Sequence, residues 1–395
     1  MPRRSSHRHK PCISVHAAVA LLGDSFPIAA RRCDSLGNAS LVQLTGSGVW
    51  RSHDIFREHA RSLDEVVVGE RLESWRRAVC WYAAATSEAE HVIVRDRPRL
   101  GLLEKITPPT GPLPVFGTID IANSWWMSER LNILACAHLA AGEQWNDAVM
   151  LIGEATWPFA VTLKNYAEWE QIQQLAVNAA VQVGDHRAEA RFRSQLARAF
   201  AETGRPVNAQ RESTAAIEAA SRSGDPVMQA STMEFAGVCA LEAGELENAL
   251  HAFDQALSQF QAADIPRGVA LQHYYAARAL LGKGQPREAL TRLKEGLDAL
   301  VIAGDETSIA RSLLRQGEAY LALEDIAQAV NALMAALQTA TAAGNWFESA
   351  EAYELLAQTA DQRGNSAAAT AYRTNALTRI LLVTADNGRV GCSYW

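Results

Sequence analysis

Few residues in this chain have the types and spacing to do chemistry. Gly23-Asp24-Ser25 follows an apolar run, as the nucleophile block of a serine hydrolase does. No Asp-x-x-His follows near the C-terminus to supply the base such a serine needs, and Ser25 is better placed to cap the helix that starts after it. His7, His9 and Cys12 are metal-ligating types on a basic tail that nothing holds in place, so no metal site is expected. The cysteines (Cys12, Cys33, Cys80, Cys136, Cys239 and Cys392) show no C-x-x-C and no regular spacing, which fits neither a disulfide framework nor zinc. Gly282-Lys283-Gly284 comes nearest to a phosphate loop, but no G-x-x-x-x-G-K-[ST] occurs anywhere. No catalytic residue and no cofactor is expected, and the chain does not read as an enzyme.

Binding is what remains, and the elements that would position it are helices. A chain of 395 residues exceeds what one core usually supports, so several domains or a repeat array is expected. Alanine and leucine dominate, with Glu, Gln and Arg between them, all good helix formers. Turns recur at Gly204, Gly244, Gly284, Glu324 and Gly364, each 40 residues after the last, and a second series at Asp185, Asp225, Asp264, Asp305 and Asn345 is spaced 40, 39, 41 and 40. Each unit is therefore two helices and two turns, with Gly supplying the left-handed end of one helix and Asp or Asn capping the next. Pro206, Pro226, Pro266 and Pro286 fall in first turns, where proline is harmless. Small residues keep phase: Ala197, Gly237, Ala277, Gly317 and Ala357 in the first helix, then Ala209, Ala249, Ala289, Ala329 and Ala369, and Ala216, Ala256, Gly296, Ala336 and Ala376, in the second.

This pattern resembles the tetratricopeptide repeat, whose usual period is about 34 residues. The expected fold is mainly α: a TPR-type α-solenoid, a right-handed superhelix of helix pairs in units of about 40 residues, preceded by a small winged-helix-like segment. Residues 187 to 380 align as five units, and 124 to 183 read as a divergent cap. The organisation predicted is a basic disordered tail at 1–15, a winged-helix-like remnant at 16–62, a helical linker with a proline-rich loop at 63–123, the repeats at 124–383 and a flexible tail at 384–395.

The front of the chain carries another resemblance. LVQLTGSGVWRSHDIFREHARSL reads as a β-hairpin followed by a helix that Asp54 caps, and is similar to the wing and Met-His-Asp motif of NB-ARC-type signalling ATPases, with Ser52 in place of methionine. RLESWRRAVCWYAAATSEAEHVI, ITPPTGPLP, WWMSERLNILACAHLAAGEQW and EATWPF resemble the linker and first repeats of AfsR-like actinobacterial transcriptional regulators of the NB-ARC (STAND) type. The resemblance implies a regulator whose nucleotide would meet a histidine at the position of His53. In that family a P-loop domain precedes the winged helix and none is present here, so His53 and Asp54 read as a family-motif remnant with a structural role.

The formal net charge is −7, and residues 11–65 hold five arginines against six carboxylates, poor footing for the phosphate contacts that dominate DNA affinity. Direct nucleic-acid binding is not expected. No apolar run approaches the ~20 residues of a membrane span, and no signal-peptide core follows the basic start, so the expectation is a cytoplasmic protein with no membrane association. The surface with functional promise is the concave face, lined by the first helix of each unit. In the repeat register it carries Arg191, Arg198, Glu234, Tyr274, Arg278, Arg311 and Glu318, with Glu351 and Glu354 beyond. Arg278 and Arg311 are expected to neighbour each other beside Tyr274, holding either a partner's carboxylate or Glu318. The function expected is a regulatory or scaffold protein that binds a protein or peptide in this groove, with an ATPase or transcription regulator among candidate partners. The rival is a substrate-docking accessory protein of a biosynthetic pathway, to which the polar ending NGRVGCSYW also fits.

Overall fold

The computed structural model describes residues 12–45, 49–52, 68–95 and 97–389. His7, His9, His53, Asp54 and the terminal Gly391-Cys392-Ser393-Tyr394-Trp395 lie outside them. Contacts divide the chain into two units, one of Met1–Val92, Gly101–Thr156 and Ala385–Trp395, the other of Ile93–Leu100 and Trp157–Thr384.

The first unit opens with β1 (Cys12–Ser14), α1 (Val15–Leu22), α2 (Phe26–Asn38), β2 (Val42–Leu44) and β3 (Val49–Ser52). The expected hairpin pairs Leu44 with Trp50. A strand absent from the sequence reading joins it: Cys12–Ser14, inside the stretch assigned to a tail, pairs with β3 to give the order β1-β3-β2. The reason is local packing, since Ile13 lies opposite Trp50 and both join Val15, Ala18, Cys33 and Val42 in one apolar cluster. Ser14 then caps α1, accepting from the Ala17 N–H at 3.2 Å. Ser25 stands at the N-cap of α2 without a side-chain bond. Three further helices follow, α3 (Val68–Ile93), α4 (Ile119–Gly142) and α5 (Asn146–Ala155). Trp81, Trp126, Ile133, Met150 and Ile152 are fully buried among them.

The second unit contains α6 (Trp157–Leu163), α7 (Tyr166–Val183), α8 (His186–Glu202), α9 (Pro206–Ser223), α10 (Pro226–Glu242), α11 (Leu246–Ala262), α12 (Pro266–Gly282), α13 (Pro286–Ala303), α14 (Glu306–Ala322), α15 (Ile326–Ala342), α16 (Trp346–Gln362) and, as far as Thr384, α17 (Ser366–Arg389). The protein is thus mainly α, a TPR-like solenoid in which α8, α10, α12, α14 and α16 are the first helices of five 40-residue units. The last helix continues to Arg389, past the tail boundary expected at 384, because no helix breaker precedes Gly388.

One backbone device sets the period. At residue 144 and every twentieth position to 364, φ lies between 52° and 78°, the left-handed region. After most of these residues the next N–H reaches back to close the helix end, as Arg205 does to Phe200 O at 2.9 Å and Asn345 to Ala340 O at 2.8 Å. Asp264 belongs to this left-handed series, and the cap position after it is Ile265. The 39 and 41 spacings therefore disappear, and the repeat is 40 throughout. Asp264 and Glu324, like Gln144 and Lys164, occupy places that glycine fills at the remaining positions of the series.

All three rows of small residues are buried. A Cβ on Gly237 would stand 2.5 Å from the Phe253 ring and one on Gly317 2.5 Å from Leu333, so these helix pairs are as close as glycine permits. First helices of neighbouring units also touch one another, which places them on the inner side of the array.

Candidate functional site

The inner face is built by residues at successive turns of the first helices, and the structure shows what each expected residue does there. Arg191 and Arg198 on α8 are buried. The guanidinium of Arg191 donates to the Pro98 carbonyl at 3.3 Å. Arg198 donates to the Tyr275 hydroxyl at 3.4 Å, across two units, and to Glu202 at 3.4 Å. Burial opposes its charge, yet Tyr275 and Glu202 outweigh burial and hold Arg198 above the usual arginine range. Glu234 on α10 accepts from Gln272 at 2.6 Å. Burial pushes its carboxyl up, against the pull of Arg267.

Tyr274 is buried on α12, its ring 5.1 Å from that of Tyr275. It lies within electrostatic reach of Arg278, Arg311 and Arg315. The arginines themselves are arranged differently from the expectation. Arg278 reaches back one unit to Glu242 at 2.9 Å, while Arg311 reaches forward one unit to Glu348 at 2.7 Å. Glu318 serves neither as their bonded counter-ion: it pairs with Arg315 at 2.9 Å. Arg315 also pairs with Glu351. Two guanidinium groups on adjacent units repel, and each has found its own carboxylate on the opposite neighbour. Lys164, at the turn before α7, lies within electrostatic reach of Arg311, Glu202 and Glu348, with burial holding its amine below the usual range.

Sequence reasoning missed Lys164, Glu202, Glu242, Tyr275, Arg315 and Glu348. It also missed a recurring stitch at the mouth of the groove. Arg187 pairs with Asp225 at 2.6 Å and Arg267 with Asp305 at 2.7 Å. Each aspartate also caps the helix it precedes, Asp225 accepting from Val227 N at 2.9 Å and Asp305 from Ser308 N at 3.0 Å. An arginine second in one helix and an aspartate 38 residues later, seen twice, was the legible signal.

Near the start of the array the face opens into a cavity of about 70 Å³, walled by Arg97, Pro98, Trp157, Arg191, Gln195, Glu234, Phe235, Arg267 and Leu271 among others. It combines aromatic and aliphatic walls with a few charged groups, the composition of a recognition cleft. Among the described residues no cluster of His, Cys, Asp or Glu could hold a metal ion, and no helix is long and apolar enough to cross a membrane.

The sequence and the fold each have counterparts among known proteins. The chain is similar to AfsR. It is 28% identical over 300 residues to the regulatory protein AfsR of Streptomyces griseus, covering 73% of this chain and 30% of AfsR. The chain thus spans about three tenths of the length of the AfsR proteins it matches. No protein-family model matches it. Among solved structures, the apo form of RapI aligns with a TM-score of 0.52 and 11% identity, over 67% of this chain and 96% of RapI. A Rap protein complexed with Competence and Sporulation Factor aligns with a TM-score of 0.51 and 13% identity, over 84% of this chain and 92% of Rap. The Rap likeness is one of fold. The AfsR likeness extends to sequence, as the motifs at the front of the chain imply.

Proposed function

We propose that the chain is a regulatory or scaffold protein that binds a protein or peptide partner on the inner face of its repeats, in bacterial transcriptional regulation or signalling in the cytoplasm. The observation that carries this reading is the cleft at the first three units, where Trp157, Phe235 and Leu271 stand beside Arg191 and Glu234. Rigid aromatic walls with a few oriented charges are what a peptide needs for anchoring and register. Two comparisons support it. AfsR is by name a regulatory protein, and a Rap of the same fold is complexed with a factor. An ATPase or a transcription regulator is the partner class that suits the AfsR context. Arg191, Arg198, Glu234, Tyr274, Arg278, Arg311 and Glu318 are then the groove residues, with the first of them in direct contact and those toward α14 acting through the ion pairs that shape the wall.

The test is site-specific photocrosslinking in the native host. A photoreactive residue replacing Ser231, which lines the cleft, is expected to capture one partner, whereas the same residue replacing exposed Gln210 on α9 is expected to capture none. Equal capture from both positions would remove the inner face as the binding surface.

A further inference from the structure

One stretch of the chain already sits where a partner would. Ile93–Leu100 packs as part of the repeat unit, although the residues on both sides of it, up to Val92 and from Gly101, belong to the other unit. From residue 97 to 100 it is neither helix nor strand. Two arginines of the first repeat helix hold its backbone: Arg191 donates to the Pro98 carbonyl and Arg187 to the Arg99 carbonyl, each at 3.3 Å. The Arg97 guanidinium stands 5.5 Å above the Trp157 ring. Arg97 and Pro98 are themselves walls of the cavity that Glu234 and Leu271 line, and Leu100 is buried. Arg99 folds back on its own segment, donating to the carbonyls of Val94 at 2.6 Å and Arg95 at 3.1 Å.

Main-chain carbonyls on arginine donors, a cation on an aromatic face and a proline with no N–H to satisfy are the elements of peptide recognition, carried out within one chain. We propose that residues 97–100 are a built-in occupant of the groove, and that the external ligand is a non-helical basic segment of the same chemistry, which must displace them. This deepens the reading above and rests on it. The groove supplies arginine donors for the incoming carbonyls, the Trp157 face for a cationic side chain, and Glu234 as the nearby carboxylate. Because the resident segment is tethered, its effective concentration is on the order of millimolar, so an untethered copy binds the wild-type chain poorly until the resident is weakened.

The experiment uses the full chain and a fluorescein-labelled synthetic peptide of Ile93–Leu100. Its anisotropy is followed against the wild-type chain and against a triple variant, Arg97→Ser with Pro98→Gly and Arg99→Ser. The variant is expected to bind the peptide about tenfold or more tighter than wild type, and adding Leu271→Asp is expected to abolish that gain. Equal affinity for both chains, no binding by a folded variant, or equal binding of a control peptide with glutamate in place of each arginine overturns the proposal. A further arm needs no variant: chymotrypsin, which has no site within the peptide, is used to cut the wild-type chain after Leu100. Excess peptide is expected to speed that cut about threefold or more by releasing the segment, and an unchanged rate overturns the proposal. Neither arm involves the natural partner, so a negative result here leaves the crosslinking test of partner binding to be judged on its own outcome.

Discussion

Two columns of residues, adjacent in sequence in every unit, behave in opposite ways. At 197, 237, 277, 317 and 357 the residue is always Ala or Gly and always buried. One position later come Arg198, Val238, Arg278, Glu318 and Gln358, with nothing in common. The first column lies where two helices of a pair meet, and every pair has the same geometry to satisfy. The other column varies in burial as in type, from Val238 in the apolar core to exposed Gln358, because each unit meets different neighbours there. Uniform positions therefore report the scaffold, and non-uniform positions beside them report what is particular to this protein.

The sharpest way to test that division is to break the inner face at its most buried pair. Arg311→Ala leaves Glu348, only 6% exposed, without its counter-ion and is expected to cost about 3–5 kcal/mol in urea unfolding. A loss as small as that of a surface pair would mean that the inner charges are solvated after all. The acid arm of stability adds a sign. Burial raises the Glu348 carboxyl, but Arg311 overcomes burial and holds it below the usual range. A depressed folded value stabilises above the unfolded one and that contribution is lost as pH falls through the folded value. Wild type is thus expected to weaken on acidification at this residue. In Arg311→Met burial is opposed only by Lys164 and a backbone hydrogen bond, so the folded value moves upward and the variant is expected to lose less stability than wild type on acidification.

The uniform column of the second helix is probed by overpacking. Ala249 and Ala289 are fully buried, and replacing either with leucine is expected to cost about 1–3 kcal/mol, with the same urea measurement as the check. Melting like wild type for both would break the assignment of that column to the helix contacts. The turns offer a gain. Asp264 and Glu324 hold φ of 52° and 60°, and Asp264→Gly or Glu324→Gly is expected to stabilise by about 0.5–1 kcal/mol, seen as a raised Tm. The smallest effect belongs to the variable column. Gln358 is exposed beside fully buried Ala357, and Gln358→Leu is expected to stay within about 0.5 kcal/mol of wild type.

The same division explains how far the sequence alone reaches. The 40-residue period, its turns and the three small-residue rows are legible because every unit repeats them. Asp264 was placed one residue out of register because an aspartate looks like a cap, and only the backbone reveals that it stands in a glycine's place. The strand at Cys12–Ser14 was hidden because three residues carry no periodicity, and Trp50, which fixes it, is 37 positions away from Ile13. On the inner face the residue types were legible and their partners were not. Whether Arg278 turns to Glu242 or toward Arg311 depends on how adjacent units stack, which no spacing within one unit encodes. The segment at 97–100 was invisible for a related reason, since its two arginine donors lie at Arg187 and Arg191, far along the chain.

The bond between Arg198 and Tyr275 spans 77 residues and skips a whole unit, and Lys164 lies in the field of Glu348, more than four units on. An array whose units touch only their immediate neighbours can fray from its ends and melt in steps. Here the inner face ties distant units to one another, so the ends cannot loosen without disturbing the middle. The solenoid is therefore expected to unfold as a single cooperative block, and removing its last helix pairs is expected to weaken the first ones as well.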